Sequence, residues 1–197
     1  MPSEFDRPAL RQDAILDAAF AAFSSYGYKR TSMEDIAQAV GISRSALYLH
    51  FRNKDDILRS LSTRFFDDAA VAVAAEFAVM NRPAAETLGA AFVAYDGKFM
   101  DMFMNTPHGA EILEAGHQVS ADLVAAGEAR IQRLLADWLA ALPLPAVLGS
   151  ADALAATILA ALKGLKHTAK TPQGYRASQA QLAQVFALAL GNPTINH

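Results

Sequence analysis

Residues 31–54, TSMEDIAQAVGISRSALYLHFRNK, carry a dense set of groups able to recognise another molecule. Arg44 offers a planar guanidinium whose fork matches the O6 and N7 acceptors of guanine in a major groove. Ser45 can reach either a base edge or the backbone. Thr31, Ser32, Ser43 and Lys54 bring hydroxyls and an ammonium suited to phosphate oxygens, contacts that set register without reading sequence. Leu49 has no donor, so its part in any reading is apolar contact with a thymine methyl. The chemistry implied is recognition of double-stranded DNA.

Two short helices and a tight turn would position these groups. Thr31 with Glu34 and Ser32 with Asp35 both have the spacing of a capping box, so a helix begins at one of the two. Met33, Ile36, Ala37 and Val40 then fall on one face of a 3.6-residue period. Gly41 can take the left-handed conformation that ends a helix, and Ser43 can cap the next. In that second helix, about two turns long, Ile42, Ala46, Leu47 and Phe51 point inward. Arg44, Ser45, Tyr48, Leu49 and His50 are left outside, and the pattern is a helix-turn-helix. A helix over about Ala9 to Tyr26, stopped by Gly27, would brace the pair, with the basic Lys29 and Arg30 in the connection. Asn53 and Asp56 repeat the capping spacing and open a long helix reaching about Met80. Lys54 in its first turn opposes the helix dipole, which makes sense if its charge faces a DNA phosphate.

Over residues 11–58 the sequence resembles the TetR-type transcriptional regulators. The resemblance rests on an amphipathic helix ending near Tyr26-Gly27, then Thr31-Ser32, Ile36-Ala37, Gly41-Ile42-Ser43, Leu47-Tyr48, His50-Phe51 and Lys54. Beyond residue 60 it rests on length and helical pattern. It implies that Tyr48 and His50 donate to phosphates, that the middle helices enclose a small-molecule cavity, and that the last two helices pair with those of a second copy. Leu49 departs from the polar or aromatic residue frequent at its position in that family.

Beyond Pro83 the apolar periodicity predicts a helix over about Ala84–Asn105, a short helix bracketed by Gly109 and Gly116, and helices over about Val119–Leu142, Ser150–Ala169 and Tyr175–Leu190. Phe92, Tyr95, Phe99, Met100, Phe103 and Trp138 supply adaptable aromatic and methionine surface suited to a pocket. Tyr95, Asp96, Asp101, His108 and His117 are the polar groups that could orient a ligand. The same stripes also suit a plain core. Glu114 and His117 have the E-x-x-H spacing of a carboxylate-bridged metal site, but no second copy exists, so no metal is expected. The last two helices are apolar nearly all round and need cover on several sides. A homodimer interface through Leu154, Ile158, Leu162, Leu165, Leu182, Val185 and Phe186 provides it.

The chain has no cysteine, which excludes disulfide scaffolds, thiolate metal sites and thiol nucleophiles. Its net charge of -3 hides a local excess: residues 28–54 hold Lys29, Arg30, Arg44, Arg52 and Lys54 against Glu34 and Asp35, enough for phosphate attraction. No apolar run reaches membrane-spanning length and the first ten residues lack a signal-peptide pattern, so the expected location is the cytoplasm, with no membrane partner. No phosphate-binding loop, dinucleotide fingerprint, nucleophile elbow or H-E-x-x-H is present, so neither an enzyme nor a cofactor is indicated. The expectation is an all-α chain with a DNA-binding domain over 1–53 and a regulatory body over 54–197, joined by a continuous helix. It would act as a homodimeric repressor on a pseudo-palindromic operator, released by an apolar or aromatic effector. A DNA-bound adaptor controlled by a protein partner is the alternative, and a helical small-molecule-binding protein or enzyme a weaker one.

Overall fold

The computed structural model describes residues 6–97, 100 and 103–191. No strand occurs among them, and the all-α expectation holds. The helices are α1 (Asp6–Tyr26), α2 (Met33–Val40), α3 (Arg44–Tyr48), α4 (Lys54–Phe77), α5 (Ala84–Phe92), α6 (Gly109–Ala140), α7 (Ala151–Thr168) and α8 (Pro172–Ala189). Two compact units emerge, one from residues up to 65 together with 103–124, the other from residues 66–100 together with 125–191. Both α4 and α6 contribute to each unit.

In the first unit α2 packs against both α1 and α3. Ile15, Phe23, Ile36, Leu47, Phe51 and Ile57 are its largest fully buried apolar side chains. Of the two possible starts for α2, the chain uses Ser32. Its hydroxyl accepts from the Asp35 amide at 3.2 Å, and Asp35 Oδ2 accepts from the Ser32 amide at 2.8 Å. Gly41 closes α2 at φ 77°, with nothing near the place a Cβ would occupy, so backbone conformation alone requires glycine here. From α4, Arg64 pairs with Asp17 of α1 at 2.7 Å.

Three boundaries differ from those expected. The helix after Pro83 does not run regularly to residue 105: it passes into a π-helical turn at Val93–Gly97, which places Tyr95 and Asp96 together in the interior. The break expected at Gly116 lies at Ser120 (φ -130°, ψ 21°), a kink inside α6. There the Val119 carbonyl is taken by Arg59 Nη1 at 2.6 Å, while the same guanidinium binds Asp122 through both oxygens at 2.7 Å. Finally, Thr171-Pro172-Gln173-Gly174 is a helix start, not a linker. Thr171 caps the Gly174 amide at 3.0 Å, and Pro172 takes the first helical position, where a missing N–H costs nothing.

In the second unit α5 packs along α8, with Gly89 near Ala183, and α7 packs on α8. Leu88, Leu139, Ile158 and Leu162 are fully buried there. Arg82 secures the break before α5 by binding the Glu76 carboxylate at 2.7 Å and the Glu76 carbonyl at 2.6 Å. Gly127 of α6 lies under the Phe66 ring, so a Cβ would stand 2.2 Å from Phe66 Cγ, whereas Gly116 faces open space. Gly127→Ala is predicted to destabilise the chain by about 1–3 kcal/mol through overpacking. Gly116→Ala, in the same helix, is predicted to stabilise it by about 0.5–1 kcal/mol. Denaturant unfolding followed by circular dichroism checks the opposite signs.

Candidate nucleic-acid interface and body cavity

Ser43 caps α3 by accepting from the Ala46 amide at 3.1 Å, and Leu47 and Phe51 anchor it from beneath. The opposite face is open. Arg44 and Ser45 are exposed, Tyr48 is 43% and Leu49 86% exposed, and His50 is half-buried. Arg44 lies over the Tyr48 ring at 5.5 Å and its Nη2 reaches the Tyr48 hydroxyl at 3.4 Å, so each restrains the other. Ser43 Oγ and Ser45 Oγ are 3.0 Å apart. The α3 face therefore presents a stacked guanidinium, a phenol, a hydroxyl pair and an apolar tip on one short rigid element. Lys29 and Arg30 are exposed on the α1–α2 connection of the same unit.

Two of the expected phosphate ligands are used inside the protein instead. Thr31 is 2% exposed and its hydroxyl donates to the Gly27 carbonyl at 2.8 Å, closing the turn after α1. Lys54 Nζ donates to the carbonyls of Tyr28, Lys29 and Thr31 at 2.8, 3.0 and 3.3 Å and sits 4.7 Å from the Tyr28 ring centre. All three ammonium protons are thus engaged by the turn. The sequence shows a positive charge at a helix N-terminus and suggests an external anion; the geometry supplies carbonyl oxygens in its place. Tyr28 adds a second tie by donating to Asp55, and burial, reinforced by that carboxylate, raises the Tyr28 phenol above its usual range. Ser32 remains exposed, although its hydroxyl is already engaged with Asp35 at 2.7 Å.

The residues expected to form one ligand site divide between the two units. Phe103 and His117 belong to the first. Phe103 meets Phe20 edge-on at 5.9 Å, and exposed His117 engages the carbonyl of Leu113 in its own helix through Nδ1 at 2.9 Å. Phe99 and Asp101 lie outside the described residues, and Met100 is buried. In the second unit, Phe92 and Tyr95 line an apolar cavity with Val73, Phe77, Ala91, Ile131, Leu135, Leu159 and Leu162. Its free volume is about 10 Å³, room for one water molecule. Trp138 stacks on Phe77 at 5.2 Å without lining the cavity, and its Nε1 has no partner.

Beside the cavity lies a polar cluster of which the sequence pattern points only to Tyr95 and Asp96. Asp96, 1% exposed, accepts from Tyr175 at 2.8 Å and from Gln179 Nε2 at 2.7 Å, and pairs with Lys166 at 2.8 Å. Lys166 also sits 4.6 Å from the Tyr95 ring centre. Gln179 Nε2 donates in addition to the Phe92 carbonyl at 3.1 Å, while its Oε1 is buried without a partner. Burial, then the charges of Glu128 and Asp96, raises the Tyr95 phenol; burial, then Asp96, raises that of Tyr175. Both phenols stay neutral. The missed signal was Tyr175 and Gln179 four residues apart, on a face of α8 that otherwise buries alanines.

The expected dimer contacts need correction too. Leu154, Ile158 and Leu162 are buried within the protomer core, Leu165, Leu182 and Phe186 are half-buried, and Val185 alone of the seven is exposed. The larger side chains of α7 fill the protomer's own core, which leaves Ala153, Ala156, Thr157, Ala160 and Gly164 on its outer face. Among the described residues no helix is long and apolar enough to cross a membrane, and no group of three or more His, Asp and Glu side chains is placed to hold a metal ion.

The family model described as bacterial regulatory proteins, tetR family, matches residues 15–61, the segment that forms the helix-turn-helix. Over that segment the chain is similar to the TetR family. Among curated TetR-type relatives, the repressor ComR of Escherichia coli is 30% identical over 121 residues, 61% of this chain and 54% of ComR. The repressor Rv1474c of Mycobacterium tuberculosis is 40% identical over 57 residues, 29% of this chain and 30% of that protein. The chain thus spans about half or less of the length of these relatives. The similarity in fold reaches further. The structure of the fatty acid degradation regulator FadR of Bacillus halodurans superposes with a TM-score of 0.65 at 17% identity, covering 93% of this chain and 97% of that one.

Lys54→Met is predicted to cost about 2 kcal/mol of stability by freeing three carbonyls from a charged donor, a loss that denaturant unfolding in the absence of DNA would register. A second expectation concerns acid. The Ser32 amide holds the Asp35 carboxyl below its usual range, the Lys29 amide does so for Glu111, and Arg59 lowers Asp122 from 3.8 to about 2. A carboxyl depressed in the folded state adds stability that is full above its unfolded value and is lost as pH falls through the folded one. Asp122→Asn is therefore expected to flatten the loss of stability between pH 3.8 and about 2, as read from unfolding midpoints at each pH.

Proposed function

We propose that this chain is a ligand-responsive, DNA-binding repressor that reads a pseudo-palindromic operator as a homodimer. The observation that carries the reading is the exposed α3 face. Arg44, Ser45, Tyr48 and Leu49 project from a capped, buried-side-anchored helix of the size and setting that enter a major groove. Arg44 reads a guanine, Ser45 a base or the backbone, and Leu49 a thymine methyl. Tyr48 and His50 donate to phosphates, while Ser43 and Ser32 add backbone contacts and Lys29 and Arg30 bring positive charge. Lys54 and Thr31 support the register from inside. The repressor names of the relatives and the family favour this over catalysis.

Two copies of one reading helix require a two-fold assembly, with half-sites about 34–36 Å apart or a multiple of that. The exposed small residues of α7 permit close approach of a second α7, and Ala177, Ala180, Val185 and Leu188 extend the surface along α8. A ligand in the second unit relieves repression only if it prefers the released form, by about 5.5 kcal/mol for a full switch from 1:99 to 99:1. The helices α4 and α6, which contribute to both units, carry the change.

Arg44→Ala is expected to cost about 1–3 kcal/mol on the best operator and to relax discrimination at one position per half-site. Titrations of the purified variant against operators changed one base pair at a time measure this. Equal loss on every sequence would assign Arg44 to phosphate instead.

A further inference from the structure

Asp96 is the one fully buried carboxylate among the described residues, and its two sides are unequal. The anion is fixed: it lies in the π-helical turn and is held by the Tyr175 hydroxyl and the Gln179 amide. Its counter-ion is not. Lys166 reaches it from α7 on a four-carbon stem, and that side chain keeps 23% of its surface in solvent. The ammonium rests on Tyr95 at 4.6 Å, and Tyr95 is also a wall of the adjoining apolar cavity, beside Phe77 and Phe92. The site already holds a cation against an aromatic face and a buried carboxylate, with hydrocarbon space next to it.

The unmet hydrogen-bonding capacity has the same sign. Gln179 Oε1 is a buried acceptor without a partner, on the amide whose nitrogen binds Asp96. An incoming N–H satisfies it, whereas an incoming carboxylate adds a second negative charge beside Asp96. If Lys166 swings out to water, Asp96 is left charged and unpaired unless another cation replaces it. Of the other buried polar atoms without a partner, the Ser24 and Ser120 hydroxyls belong to the first unit, and Trp138 Nε1 in the second lies outside the cavity lining.

We propose that the effector is a small hydrophobic cation, an aryl- or alkylammonium that displaces the Lys166 ammonium from Asp96 and Tyr95 while its hydrocarbon part enlarges the cavity bounded by Phe77, Phe92 and Leu162. This rests on the ligand-responsive reading given above. The cavity now admits about one water, so binding requires expansion. The π-helical turn carries one residue more than an α-helical turn and offers the place for it, since such bulges recur at functional sites.

The test is calorimetric titration of the full chain, without DNA, at pH 7 with three ligands of one skeleton: 4-phenylbutylamine, 4-phenylbutanol and 4-phenylbutyrate. The amine should bind at least tenfold tighter than the alcohol, with the carboxylate weakest. Lys166→Met, which removes the competing ammonium, should tighten the amine several-fold and leave the alcohol unchanged. Asp96→Asn should erase the preference; if that variant does not fold, the Lys166→Met comparison decides alone. Equal binding of amine and alcohol, tighter binding of the carboxylate, no binding of any of the three, or weaker amine binding by Lys166→Met overturns the proposal. An operator titration separates this from the underlying reading. Amine binding that leaves operator affinity unchanged upholds the site and contradicts the regulator, while release by the alcohol or carboxylate without amine preference does the reverse.

Discussion

A helix of five residues cannot stand alone in water, because nucleating it fixes several residues for one or two hydrogen bonds. Whatever α3 does therefore depends on what clamps it. Ser43 caps its start, Leu47 and Phe51 bury its underside, and α2 holds its approach through the Gly41 turn. Behind these stands the turn after α1, where Lys54 gathers three carbonyls and Tyr28 reaches Asp55. The outward residues stand clear of the core only because the inward ones are fixed in it.

The body is built on a different constraint, a charge kept in an apolar interior. Asp96 ties the π-helical turn to α8 through Tyr175 and Gln179 and to α7 through Lys166, so one carboxylate joins three segments. Leaving a member of such a network unpaired is costly, and Gln179 Oε1 already lacks a partner. Its least buried member, Lys166, is the one whose exchange disturbs all three segments together. A tightly filled cavity beside a replaceable cation suits a switch, since a ligand can enter only by changing the packing around it.

The helix-turn-helix was legible in the sequence because its signals are local: caps, a glycine turn and short apolar periods decide it within a few residues. The same locality explains what was misread. Lys54 at a helix start looks like a charge awaiting an anion, and only the folded chain shows the carbonyls of residues 28, 29 and 31 converging on it from 23 to 26 positions away. The kink at Ser120 depends on Arg59, 60 residues from the carbonyl it caps, whereas Gly116 advertised a break that the helix does not take. On α7 the eye falls on Leu154, Ile158 and Leu162 as interface residues, but large side chains fill the protomer's own core first and leave alanines outside. The Asp96 cluster was half visible, its carboxylate and Tyr95 through their place in an aromatic run. Lys166, Tyr175 and Gln179 come from helices about 70 to 80 residues later.

Selection of genomic fragments with the purified chain, followed by titration of the best fragment across salt concentrations, tests whether the short clamped helix presents a base-reading face. The expected result is a short pseudo-palindrome bound by two copies, with affinity falling steeply as salt rises because several phosphates are neutralised. Weak binding that is indifferent to sequence would contradict it and leave α3 a structural element alone.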